Sequence, residues 1–257
     1  MNMLQIYLQQ GERKMKKITG ILLSAAMLLA AGCTGKTDNT PEPTDDFAKS
    51  EGVMTYAECA AADLDTEVTI EAYVQGHQSW WNDQITVYAQ DPDGAYFLYN
   101  MTCSEEDAKK LVEGQKIKVT GFKSAWAGEI EIVDATFEIE DGNWIADPVN
   151  ADDLWGSPDL ISRQNQKVVF TDVTILDYGD GNAFAYKDAE GKTDDLYFKV
   201  SKGDTDYEFI VEFYLTGADT EVYKTVEGLK VGDKVDLEGF LYWYEGPNLH
   251  TTKVTVK

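Results

Sequence analysis

Between residues 67 and 74 the apolar Val68, Ile70, Ala72 and Val74 alternate with Glu67, Thr69, Glu71 and Tyr73. A period of two puts one face of a strand in a core and the other outward, so this segment predicts a first strand. The same period returns at Ile85, Val87 and Ala89, after a polar loop over residues 76–83. Asp91, Pro92, Asp93 and Gly94 then predict a tight turn into a third strand over residues 95–99, and a fourth follows over 116–122. A fifth opens at Glu129, where the apolar phase passes from Ile130 and Ile132 to Val133, Ala135 and Phe137; that switch predicts a bulge or a sharp coil. Two short helices interrupt the strands. Thr55 caps the first, with Glu58 returning a bond to the cap. Ser104 caps the second, which has Glu105, Glu106 and Asp107 at its positive end and Lys109 and Lys110 at the other.

The order strand, strand, strand, helix, strand, strand is repeated. Residues 112–122 (Val-Glu-Gly-Gln-Lys-Ile-Lys-Val-Thr-Gly-Phe) match residues 230–240 (Lys-Val-Gly-Asp-Lys-Val-Asp-Leu-Glu-Gly-Phe) position by position. Here the chain resembles the OB-fold modules of exported bacterial proteins, in which a helix ends in a Gly-x-Lys-Val-x-Val-x-Gly-like lead into strand four. The resemblance implies an all-β protein of two tandem OB-like five-stranded barrels, each with a short helix between strands three and four, over residues 54–149 and 150–257. In the second copy the expected strands one to three are residues 167–176, 183–187 and 196–200. The helix is expected over 216–226 and the last strand over 249–256. Residues 203–215 read as an insertion whose alternation over 207–213 suggests an additional strand, which leaves closure of this barrel open. Residues 150–165 read as the link, with Leu154 and Trp155 packed between the domains.

The N-terminal region reads as an export signal. Lys16 and Lys17 precede a short apolar run over residues 18–29, and Ala30, Ala31 and Gly32 precede Cys33. The run is too short to span a bilayer. It resembles the lipobox of bacterial lipoproteins, with Ala30 where Leu is commoner. That resemblance implies diacylglyceryl transfer to Cys33, cleavage after Gly32, removal of residues 1–32 with a start at Met15, and a lipid-anchored, extracytoplasmic protein. Residues 33–53, rich in Thr, Pro and Asp, read as a disordered tether. In an exported protein Cys59 and Cys103 are free to pair or to remain as thiols.

Charge narrows the partners. With 22 Lys and Arg against 46 Asp and Glu, the formal net charge is -24. Phosphate backbones are held by cations that displace counterions, and Arg163 is the only arginine after Arg13. Nucleic acid is therefore a disfavoured partner. His77 and His250 are the only histidines, and neither has a second ligand at metal spacing. No nucleophile elbow, phosphate loop or dinucleotide fingerprint is present. The chain is read as a non-enzyme without cofactor or metal. Asp177, Asp180 and Asn182 read as a turn rather than a calcium loop, and His77 as a loop hydrogen-bonder.

Aromatic residues supply the candidate site. An OB barrel binds ligands on strands two and three, between the loop joining strands one and two and the loop joining strands four and five. These loops hold Trp80, Trp81 and Trp126, and Tyr88, Tyr96 and Tyr99 extend the surface across the sheet, with one or two of the three tyrosines expected to fill the barrel. Tyr244 stands in the second copy where Trp126 stands in the first. The expected function is non-catalytic binding of a glycan or envelope protein through these rings. The alternatives are single-stranded nucleic acid stacked on the same rings, or a structural spacer or assembly subunit of an envelope complex; the rings themselves read equally as covers for the barrel ends or as the contact between the two domains.

Overall fold

The computed structural model describes residues 47–188 and 194–257, so Cys33, the apolar run and the tether through Asp46 lie outside the described residues. The first barrel comprises α1 (Tyr56–Ala61), β1 (Glu67–His77), β2 (Gln84–Gln90), β3 (Ala95–Thr102), α2 (Glu105–Ala108), β4 (Gln115–Trp126) and β5 (Glu129–Asn143). Its strands close in the order β1-β2-β3-β5-β4, with β3 and β5 parallel. Both expected caps form. Thr55 and Glu58 make a reciprocal capping box on α1, and Ser104 accepts from the Asp107 amide on α2. The phase switch in β5 is a bulge in which Phe122 faces Val133 and Thr120 faces Thr136. Asp134, at φ 50°, takes up the extra residue.

The second barrel comprises β6 (Val149–Asn150), β7 (Lys167–Ile175), β8 (Phe184–Tyr186), β9 (Leu196–Lys202), β10 (Thr205–Val211), α3 (Phe213–Thr216), α4 (Glu221–Glu227), β11 (Lys234–Trp243) and β12 (Pro247–Val256). Strands β7-β11-β12-β10-β9 are neighbours in that order, and a β7–β9 pairing closes the ring. Both barrels thus have the OB topology, and closure of the second is complete. Its strands differ from the sequence reading. The additional strand expected within residues 203–215 is present as residues 205–211, but it is the third strand of the barrel and not an insertion, and 196–202 are the second. Residues 183–187 hold only β8, which extends the ring beside β9. Alternation identifies a strand but not its partner, and the first extended segment after β7 belongs to a long loop.

The repeat now has a physical reason. Gly114 and Gly232, at φ +88° and +94°, make the left-handed turn that precedes strand four. Gly121 and Gly239 lie where strand four crosses strand five. A Cβ on Gly121 would stand 2.7 Å from the Ala135 Cβ, and one on Gly239 2.3 Å from the His250 carbonyl oxygen.

Two further segments depart from the sequence reading. The last residues of the expected tether are tied down: Lys49 pairs with Asp91 at 2.6 Å, and Phe47 packs edge-on against Tyr73 and Trp144. Composition gives no hint of these tertiary contacts. Trp155 does not sit between the barrels. It packs on Phe170, Tyr207 and Phe209 in the second core, with its indole N–H donating to the Thr205 carbonyl. Cys59 and Cys103 are free thiols.

Candidate functional site

On β2 and β3 the inward residues Val87, Ala89, Tyr96 and Leu98 fill the first core. Tyr96 therefore belongs to the barrel interior, where its hydroxyl donates to Asp91 at 3.1 Å and its ring meets Tyr56 edge-on. The outward residues Tyr88 and Phe97 form the ligand face of an OB barrel, and here that face is covered by the second barrel. Phe240 of β11 stacks on Tyr88 at 4.4 Å with an interplanar angle of 11°. Tyr242 meets Phe97 at 5.1 Å, and His250 of β12 meets the Tyr88 ring at 5.8 Å. Tyr99 is half-buried at the rim, stacked on Phe97.

Polar groups fix the register of this contact. The Tyr88 hydroxyl forms a short hydrogen bond with His250 Nδ1, and Glu212 lies 3.3 Å from the same nitrogen. Gln78 donates to Glu212 at 2.7 Å, and the Lys167 amide donates to Gln90 Oε1. Burial pushes the Tyr88 hydroxyl well above the usual phenol range, and the Glu212 carboxylate adds to that. Glu129 is fully buried, and its carboxylate accepts from the Trp243 amide at 2.8 Å and from Gln164 at 3.1 Å. Burial raises Glu129 to about 8 and its neighbour Glu131 to about 7. These two acids keep their protons far above the ordinary carboxylate range because ionisation would place charge in a dry interface.

Both expected ligand loops of the first barrel bind the second. Ser79 donates its amide to the Tyr214 carbonyl at 2.7 Å, and Gly76 comes within Cβ distance of the Phe240 ring. At the other end the Glu245 amide donates to Ala127, and Gly128 lies against Trp243. The two loops thus bracket residues 240–243 of β11 instead of opening onto a common groove. Trp80 lies half-buried against the first core, its indole N–H donating to the Cys103 carbonyl at 3.0 Å. Trp126 is half-buried at the end of β4. Trp81 is 71% exposed and Tyr244 50% exposed. Trp80, Trp81 and Trp126 form no ring contact with one another among the described residues. Of the seven predicted rings, Tyr88 and Tyr96 are buried, Trp80, Trp126 and Tyr99 are half-buried, and Trp81 and Tyr244 are exposed.

Other sequence readings resolve simply. His77 is a hydrogen-bonder, its Nδ1 bonding the Gln78 carbonyl oxygen at 2.8 Å, but it ends strand β1 opposite Val87 and does not lie in the loop. Asp177 Oδ1 accepts from the amides of Gly179 and Gly181, which makes the 177–182 segment a carboxylate-organised turn. No group of three His, Cys, Asp or Glu is placed to hold a metal among the described residues. Phe240 and Glu129, central to the contact, carry no site motif in the sequence, and His250 is weighed there only as a metal ligand. The one available signal was the match of Phe240 to Phe122 at the end of the repeat.

The sequence matches no protein-family model, and it matches no curated protein. Among solved structures, one similar chain is the asparaginyl-tRNA synthetase of Entamoeba histolytica in complex with asparaginyl-adenylate, at 19% identity and TM-score 0.27, covering 32% of this chain and 22% of that one. A second is a HINa domain in complex with 20bp dsDNA, at 13% identity and TM-score 0.34, covering 76% of this chain and 96% of that one. A third is a murine DNA binding protein bound with ds DNA, at 10% identity and TM-score 0.33, covering 74% and 96%. The chain spans about a fifth of the synthetase it matches, 22%.

Proposed function

We propose that this protein is a non-catalytic binding protein, held by a lipid on Cys33 at the extracytoplasmic face of a bacterial membrane. In this reading the paired barrels act as one body and hold a glycan or protein ligand on exposed loop rings. The observation that carries it is Trp81. It is 71% exposed, yet its loop is fixed by a Trp81–Gln84 backbone pair and by the bond from Ser79 to Tyr214. A large ring held in water forgoes the free energy of burial, which a stacking partner restores. Tyr214, exposed beside the same loop, supports the reading, and Tyr244 offers a second ring.

The competing reading places single-stranded nucleic acid on the same rings, a use common to this fold. Stacking alone would have to hold it, because a net charge of -24 repels a phosphate backbone. Tryptophan fluorescence of the full chain decides between them. A panel of neutral oligosaccharides is expected to give a saturable change that Trp81→Ala removes without lowering Tm, and an oligothymidylate at physiological salt is expected to give none. Tight oligothymidylate binding would replace this proposal with the nucleic-acid reading. Silence toward every probe would favour an assembly subunit. Cys33→Ser is expected to move the protein from the membrane to the soluble fraction.

A further inference from the structure

The first barrel holds a cavity that its strand pairing explains. Strands β3 and β5 are parallel neighbours only at Phe97–Glu131 and Leu98–Ile132. Ala95 and Ile130 precede that pairing, and beside them a space of about 160 Å³ remains, lined also by Ile132 and by Cys59 of α1. Ile130 is exposed, so the space opens at the surface there. Most of its wall is hydrocarbon, and two buried polar side chains interrupt it, Lys123 of β4 and Asn165 of the link.

Each of the two is incompletely matched. Lys123 is 6% exposed, and its Nζ donates to the Ala60 and Ala62 carbonyls at 2.6 and 2.7 Å, which ties it to the end of α1. An ammonium has a third donor, and carbonyls bring no net charge. Lys123 makes no ion pair with a carboxylate among the described residues. The Cys59 thiol on the same wall does not supply the charge, because burial pushes it up and keeps it neutral. A buried cation without an anion is costly. Asn165 is 4% exposed; its amide nitrogen donates to the Ile130 carbonyl at 3.2 Å, and its Oδ1 is buried without a donor. Such an acceptor carries the full cost of its desolvation. Size and chemistry together select a ligand. A cavity of about 150 Å³ takes a molecule as large as benzene, so about six or seven non-hydrogen atoms fit. An anion for Lys123, a hydroxyl for Asn165 and a short hydrocarbon for the walls are the parts of a four-carbon hydroxycarboxylate.

We propose that this cavity is a binding site for a short aliphatic hydroxycarboxylate, its carboxylate on Lys123 Nζ and its hydroxyl donating to Asn165 Oδ1. The test is isothermal titration calorimetry of the full chain with 2-, 3- and 4-hydroxybutyrate, and with butyrate and 1,3-butanediol as counterparts. At least one hydroxybutyrate is expected to saturate and to bind at least about fivefold more tightly than butyrate, which leaves Asn165 unmet. The diol lacks the charge and is expected to bind at least about tenfold more weakly than that hydroxybutyrate. Lys123→Met keeps an apolar stem and removes the ammonium; it is expected to weaken binding at least about tenfold. Ala95→Leu fills the cavity from β3, leaves both polar groups in place and is expected to abolish binding. It decides the matter if Lys123→Met fails to fold. Trp81→Ala is expected to leave the affinity unchanged, which separates this site from the exposed loop rings. Absence of saturable binding, diol binding as tight as that of the acids, or unchanged affinity in Ala95→Leu would overturn the proposal. So would equal affinity for butyrate, which would mean that a proton on neighbouring Glu129 already meets the Asn165 oxygen.

Discussion

The two barrels share a topology and an eleven-residue repeat, yet they bury opposite faces. Phe122 and Phe240 end the two copies of that repeat. Phe122 is 40% exposed on the first barrel, whereas Phe240 is 2% exposed because it lies on Tyr88. Strands two and three show the reverse. In the first barrel they present Tyr88 and Phe97 to the neighbour, and in the second β9 turns Lys199 over the Tyr178 ring and β10 leaves Glu208 exposed. The arrangement is head to tail, so the same element is a docking surface in one copy and a free surface in the other. A ligand face is thus a property of what covers it and not of the fold alone.

The largest effect is expected where that contrast is sharpest. Phe240→Ala removes a buried ring that stacks at 4.4 Å, and truncations of this kind cost about 3–5 kcal/mol. Phe122→Ala changes an exposed residue of the same type and is expected to stay within about 0.5 kcal/mol. Urea unfolding of the pair measures the difference. Equal losses would mean that the contact between the barrels contributes little. A Phe240→Ala chain that unfolds in two transitions where the parent unfolds in one would show the barrels coming apart.

The next effect is pH dependence of the same contact. An ordinary glutamate, at 4.5, ionises in the unfolded chain well before Glu129, which burial holds at about 8. Below 4.5 both states carry the proton and the folded state loses nothing. As pH rises from there to about 8 the unfolded state releases its proton first, so stability falls, and above 8 the loss is complete. Glu131 adds the same trend up to about 7. Tyr88, Tyr242 and Glu212 surround the pair and supply no compensating cation. Glu129→Gln keeps acceptance from the Trp243 amide and is expected to raise Tm at pH 8 by an amount worth a few kcal/mol, with no change at pH 4. A Tm that climbs across this window in the parent protein, or an unchanged slope in Glu129→Gln, would contradict the burial of this acid.

The asymmetry also explains how far the sequence could be read. The first barrel was legible strand by strand, because alternation at residues 67–74 and 85–89, the caps at Thr55 and Ser104, and the bulge after Ile132 are local signals. In the second barrel the long loop after β7 holds the short strand β8, and chain order assigned it the place of β9. Local pattern cannot rank two candidate strands for one partner. The candidate site was legible in half. Alternation turned Tyr88 away from the core, and nothing in the pattern distinguished water from a second barrel on that side. Tyr96 lies one residue out of that phase and is a core position by the same rule, which makes it the tyrosine of the three that fills the barrel.

The smallest effect concerns the helices that plug the barrels between strands three and four, α2 and α4. Ser104 accepts from the Asp107 amide at 3.1 Å and so satisfies a donor that the helix cannot. Thr220, at the same place before α4, makes no such bond; its hydroxyl donates instead to the Gly217 carbonyl at 2.8 Å. Ser104→Ala is expected to cost about 1 kcal/mol. Thr220→Ala loses one exchangeable side-chain bond and is expected to cost clearly less, within about 0.5 kcal/mol. The helix lengths sharpen the inference: α2 has 4 residues and α4 has 7, with Val222, Tyr223 and Val226 buried. A four-residue helix has little packing to hold it and depends on its cap, whereas α4 is held by its buried face. A Ser104→Ala loss no larger than the small one expected of Thr220→Ala, measured by urea unfolding, would show that packing dominates in both and that the cap of α2 adds little to the first barrel.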